Sequence, residues 1–141
     1  IGLSAMHQRG DLIRAVMEGV SYSQRQCLDI LREMGVAPDH IMACGGGGRS
    51  PFWRQMLADV LGCTVQTARA AQEGPALGAA ILAGVCAGVY PDVPTACDAI
   101  VHSNQSCSPQ PEAGGRYEPF YRLYTSLYPA LRGSFETLYQ L

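Results

Sequence analysis

Apolar and small residues recur with a period near 3.6 from Leu12 through Val16, Val20, Ser23, Cys27, Ile30, Leu31 and Met34. That spacing predicts a long amphipathic helix introduced by Gly10-Asp11 and stopped at Gly35, with Arg14 and Glu18 placed to pair one turn apart. A short apolar run, His40 to Cys44, follows and reads as a buried strand. Four glycines, Gly45 to Gly48, come next, and Ser50-Pro51 then opens a second helix from Phe52 to Leu61, ended by Gly62. Serine before proline is a helix-start signature, with Ser50 as N-cap and Pro51 in the first helical position. Cys63 to Ala68 alternates and predicts a second strand. Gly74-Pro75 opens a third helix over Ala76–Ala87, with Gly88 behind it. Asp92 starts a fourth helix, Pro94 to Val101. His102 to Gly115 is polar and proline-containing, which predicts a surface loop. Tyr117 to Leu138 is helical in period and rich in tyrosine, with Pro129 expected to kink or interrupt it.

Strand, helix, strand, helix with short connections is the grammar of a parallel βαβα unit, so the class is α/β. Two strands do not make a stable sheet alone, so further strands are expected from upstream chain. The chain opens on Ile1 and stops at Leu141, and the expectation is a piece of a longer protein.

Composition narrows the partners. The 141 residues suffice for one core, and the formal net charge of −2 leaves no basic block for nucleic acid. No apolar run approaches the ~20 residues of a membrane span, and no leader is visible, so a cytoplasmic protein is expected. Six cysteines are scattered without C-x-x-C spacing; Cys27, Cys44 and Cys86 sit in apolar patterns and read as small buried thiols rather than disulfide or zinc ligands.

The candidate chemistry lies in the glycine run. Strand, glycine turn and helix N-terminus suit close backbone approach by a nucleotide, because glycine lacks Cβ and the helix start offers unpaired N–H groups. A P-loop requires Gly-Lys-Ser/Thr after a spaced glycine, and Ala43 with Arg49 breaks that pattern. Gly45-x-Gly47-x-x-Ser50 approaches a dinucleotide fingerprint, but the following strand ends at Arg69 without a carboxylate. A phosphorylated dinucleotide held through Arg69 stays open, as does a plain flexible turn.

Three ordered blocks carry a wider resemblance. Gly45 to Ser50 followed by Pro51-Phe52-Trp53-Arg54-Gln55-Met56-Leu57-Ala58-Asp59 resembles the C-terminal signature of FGGY carbohydrate kinases, and most resembles the xylulokinase branch. Glu73-Gly74-Pro75-Ala76-Leu77-Gly78-Ala79-Ala80 resembles a further helix start of that family and Arg14-Ala15-Val16-Met17-Glu18-Gly19-Val20 another of its helices, at compatible spacing. The resemblance implies part of an actin-like, ribonuclease-H-like ATPase domain, the C-terminal half of a sugar kinase, spanning residues 1–141. It implies ATP and Mg²⁺ as cofactors and a small sugar, D-xylulose foremost, as substrate. Gluconate, fuculose or glycerol kinase is the alternative, as is a nucleotide-binding module without catalysis. Carried over by position, Gly45, Gly46, Gly47 and Gly48 line the nucleotide, and Ser50 reaches the adenine or ribose edge. Gly48 stands where alanine is usual, which implies a tolerated loss of one methyl and added flexibility.

The family's catalytic aspartate, phosphate loop and sugar site have no counterpart here, so this chain alone is expected to be inactive and to need an N-terminal domain that also holds most of the metal. Asp11, Asp29, Asp39, Asp59, Asp92 and Asp98 lie in no motif that would make one of them the base. Glu18 reads as a partner of Arg14, His7 and His40 as local hydrogen-bonding residues, and Trp53 as helix packing. Glu73-Gly74 is a second candidate for the nucleotide edge or a hinge. Gly78, Ala79 and Ala80 read as close helix packing. The tyrosine-rich last helix reads as core against the first helix, with a homodimer interface as the alternative.

Overall fold

The computed structural model describes residues 1–68 and 74–141, and the chain divides into two compact units. The first comprises Ile1–Ala37, Asp59–Gly62 and Pro109–Leu141; the second comprises Pro38–Ala58 and Cys63–Ser108.

Two long helices make the first unit, α1 (Arg9–Glu33) and α6 (Ala113–Tyr139). The Asp11 carboxylate accepts the Gln8 main-chain N–H at 2.8 Å, tying down the start of α1. Its end is a Schellman arrangement. Gly35, at φ 88°, donates to the Arg32 carbonyl and Val36 donates to that of Leu31, a geometry that a side-chain-bearing residue reaches only with strain. Tyr22 of α1 is 5% exposed and meets three rings of α6, Tyr117, Tyr121 and Tyr124, at centroid distances of 6.4, 6.0 and 5.5 Å. The Arg25 guanidinium lies 3.9 Å above the Tyr121 ring and pairs with Glu118 at 2.7 Å. Hydrogen bonds from Arg122 and Arg25 hold the Glu118 carboxyl below the ordinary range. The tyrosine-rich helix is therefore core along its first half, while Tyr128, Phe135 and Leu138 beyond it are exposed. Pro119 and Pro129 both lie inside α6, so Pro129 does not interrupt it. A proline removes one main-chain bond, and 27 residues supply the rest.

The second unit carries a three-stranded sheet in the order β1 (His40–Met42), β2 (Thr64–Ala68), β3 (Ser103–Cys107). The pair β1 and β2 is parallel, with His40 opposite Thr64, as the βαβ pattern predicts. The third strand is a correction. It runs antiparallel to β2, Val65 opposite Cys107, where the polar run after His102 predicts a loop. Ser103-Asn104-Gln105-Ser106 is exposed, and main-chain bonding to β2 needs no apolar side chain, so an alternation-based reading has nothing to detect. One of the missing strands thus comes from within the chain.

Five-residue α2 (Gly45–Arg49) and α3 (Pro51–Leu61) connect β1 to β2; α4 (Gly74–Cys86) and α5 (Val93–Ile100) connect β2 to β3. The Asp92 carboxylate caps α5 by accepting the Thr95 N–H at 2.8 Å, which holds its carboxyl below the usual value. Two burial expectations change. Gly78, Ala79 and Ala80 of α4 are exposed, and a Cβ on Gly78 would meet nothing within 4 Å, so close packing is not what places glycine there. Cys27, Cys44 and Cys86 are exposed and Cys63 is buried; all six thiols are free. Among the described residues no helix is long and apolar enough to cross a membrane.

Among the described residues the Tyr22 hydroxyl is buried without a hydrogen-bond partner. Burial pushes the Tyr22 phenol up to about 12, and burial with the 2.6 Å bond donated to Asp29 does the same for Tyr121. Both groups favour the neutral form when folded, so their contribution is fully present below pH 10.0 and is lost as pH rises toward 12. Tyr22→Phe is expected to hold or raise stability by about 1 kcal/mol and to remove part of that alkaline loss. Tyr22→Ala is expected to cost about 3–5 kcal/mol by cavity formation. Denaturant unfolding between neutral pH and pH 11 measures both.

Candidate functional site

The tetraglycine is a helical turn rather than an open loop. Gly45 enters at φ 72°, and the chain then winds through Gly46, Gly47, Gly48 and Arg49 as α2. Such a segment has no intrinsic reason to be helical. Each glycine disfavours helix by about 1 kcal/mol relative to alanine, and five residues fall far below the length at which a helix sustains itself. Tertiary contacts from α3 supply the order.

Three consecutive α3 residues hold the turn and the strand behind it. The Trp53 ring lies 3.4 Å from where a Cβ on Gly47 would stand. Arg54, 5% exposed, donates from Nη1 to the Gly48 carbonyl at 2.6 Å, a charge-assisted bond worth about 1.5–3 kcal/mol. Gln55 donates from Nε2 to the Ser108 carbonyl at 2.9 Å, just past the end of β3. Ser50 is the N-cap that the sequence predicts: its Oγ accepts the Trp53 N–H at 3.3 Å and its carbonyl accepts the Arg54 N–H at 2.9 Å. The Trp-Arg-Gln block is therefore a set of props for the glycine turn and the neighbouring strand end.

The candidate residues divide by exposure. Gly46 is exposed, and a Cβ there would enter open space. Gly45, Gly47 and Ser50 are half-buried. Gly48 is buried, and its Cβ would stand 2.8 Å from the Ala43 carbonyl oxygen. Added flexibility is thus the wrong expectation for Gly48: its missing methyl permits close approach to the end of β1. Gly74, at the start of α4, abuts the turn's entrance, since a Cβ on it would lie 3.0 Å from the Cys44 side chain. Arg69 and Glu73 lie outside the described residues, so the dinucleotide contact and the acidic hinge are not described. Arg54 and the Gly74–Cys44 contact were not singled out from sequence. Their only signal was membership of the Trp-Arg-Gln and Glu-Gly-Pro blocks.

Several acidic residues serve the scaffold. Glu18 pairs with Arg14 at 2.7 Å, Asp29 accepts from Tyr121 and Arg32, and Asp39 pairs with His40 at 2.6 Å. Asp59 accepts the Gln110 N–H at 2.8 Å. His7 bonds Ser4 and is likewise local. Among the described residues no group of three His, Cys, Asp or Glu side chains converges in a way that could hold a metal.

The parallel β1–β2 pair, joined through the propped glycine turn and the capped helix, defines an α/β domain of actin-like ATPase fold. The family whose pattern matches residues 1–87 is the FGGY family of carbohydrate kinases, C-terminal domain, and the chain belongs to it. A xylulose kinase from Escherichia coli (strain K12) is 36% identical over 137 residues, 92% of this chain and 28% of that protein. Among solved structures, the ligand-bound xylulose kinase from Lactobacillus acidophilus is 28% identical at a TM-score of 0.84, covering 98% of this chain and 28% of its own. The gluconate kinase from the same organism matches over the same shares at a TM-score of 0.83 and 28% identity. The chain thus spans little more than a quarter of the length of the relatives it matches.

Gly48→Ala is expected to destabilise the second unit by about 1–3 kcal/mol, because the methyl must displace the main chain at Ala43. Gly46→Ala, whose methyl meets nothing, is expected to be neutral or to stabilise by up to about 1 kcal/mol. Denaturant midpoints of the two variants, compared side by side, check the contrast.

Proposed function

We propose that this chain is the C-terminal, nucleotide-facing part of an ATP-dependent sugar kinase that converts D-xylulose to D-xylulose 5-phosphate. The observation that carries the reading is the bare main chain at Gly45 and Gly46, half-buried and exposed respectively, at the end of a parallel strand and held in one conformation by α3. Glycine there lets adenosine phosphate approach the backbone at distances a side chain would forbid. In this reading Gly45, Gly46 and Gly47 line the nucleotide and Ser50, its Oγ already capping α3, stands at the adenosine edge. Gly48 serves from behind as the packed root of the turn.

Residues 1–141 form the C-terminal FGGY domain in this proposal, and the sugar site, the general base and the Mg²⁺ ligands belong to the rest of the protein. Phosphoryl transfer requires all three. Five aspartates, Asp11, Asp29, Asp39, Asp59 and Asp92, are engaged in caps or pairs, which supports assigning the base elsewhere. The chain alone is therefore inactive. The partners are ATP, a small sugar and the N-terminal domain of the same cytoplasmic protein. The likeness to a gluconate kinase supports a second substrate reading, gluconate.

The test uses the intact kinase that contains this chain. Across D-xylulose, D-gluconate, L-fuculose and glycerol, ATP-dependent phosphorylation is expected to show the highest kcat/KM on D-xylulose. A preference for gluconate selects the second reading, and no phosphorylation of any sugar overturns both. Gly46→Val, which places a branched side chain in the open space over the turn, is expected to raise the KM for ATP at least about tenfold. The sugar KM should stay unchanged.

A further inference from the structure

We propose that Arg54 is a positioning residue for nucleotide binding, acting through the Gly48 carbonyl to keep the glycine turn in its binding-competent conformation. The inference rests on the nucleotide reading of the turn given above. Arg54 is almost fully buried, and among the described residues its Nε has no hydrogen-bond partner and no carboxylate pairs with it. A buried guanidinium left partly unsatisfied is unfavourable for stability alone, and an apolar side chain of similar length would fill the space without that penalty. What the arginine does there is specific. Its planar fork holds one carbonyl, that of Gly48, at 2.6 Å.

The position of that carbonyl explains the consequence. Gly48 is the buried root of the turn, wedged against Ala43, while Gly46 is its exposed tip. Trp53 covers Gly47 between them. Four consecutive glycines have the largest conformational freedom a chain offers, so the turn holds one shape only as long as its root is pinned. Released at Gly48, the turn spreads over many conformations, and the apparent nucleotide affinity falls by the fraction that remains competent. Arg54 touches no ligand in this account. It removes the ordering cost that the ligand would otherwise meet on binding.

The experiment compares Arg54→Met, Arg54→Lys and Gly46→Val in the intact kinase, with ATP and sugar affinities measured separately by calorimetry and kcat at saturating ATP. Arg54→Met is expected to weaken ATP roughly tenfold or more, to leave the sugar Kd within about twofold and to keep kcat near the parent value. Arg54→Lys, which keeps one donor, should recover part of the ATP affinity. Amide hydrogen exchange over Gly46, Gly47, Gly48 and Arg49 should quicken in both variants while the β2 amides stay protected. An unchanged ATP Kd in Arg54→Met, beside a loss in Gly46→Val, overturns the positioning role and leaves the nucleotide reading standing. An unchanged ATP Kd in Gly46→Val as well overturns the nucleotide reading and this inference with it. A fall in kcat at unchanged ATP Kd also overturns it. If Arg54→Met does not fold, Arg54→Lys decides: unaltered exchange and ATP affinity overturn the proposal, and faster exchange with weaker ATP binding supports it.

Discussion

One hydrogen bond organises the candidate site: the buried guanidinium of Arg54 on the carbonyl of Gly48. A tetraglycine excludes every local source of order, since it has neither side chains to pack nor helix propensity. Its conformation is therefore decided from outside, by the helix that follows it. Trp53 shields one glycine, Arg54 holds the next, and Ser50 starts the helix from which both project. The glycines are the residues least able to hold themselves, and the rigid helix beside them makes up the difference.

The two units show contrasting ways of building a core. In the first, aromatic edges and a cation over a ring join two long helices around Tyr22. In the second, a central strand with Val65 buried carries a parallel neighbour on one side and a polar antiparallel one on the other. Apolar surface is left on α4, Leu82 above all, and the chain spans little more than a quarter of the length of the kinases it matches.

Much of the fold was legible in sequence because its signals are local. The 3.6 periodicity marked α1, the Ser-Pro start marked α3, the Asp92 cap marked α5, and Gly35 and Gly88 marked helix ends through the positive φ both adopt. What was misread depended on neighbours. Strand β3 exists because β2 presents free main-chain groups to it, a fact absent from Ser103-Asn104-Gln105-Ser106 itself. Burial of the cysteines was misjudged for the same reason: an apolar pattern says which face could be covered, not that something covers it.

By itself the sequence determined where helices start and stop, which two strands lie parallel, and which family the glycine and Trp-Arg-Gln blocks belong to, because these rest on short-range geometry and residue type. Only the tertiary structure decided that the glycines wind into a helix, that Gly48 is a point of contact rather than of freedom, and that Arg54 is the group holding it. Those outcomes follow from packing between segments, and no residue carries that information about its partners in its own identity.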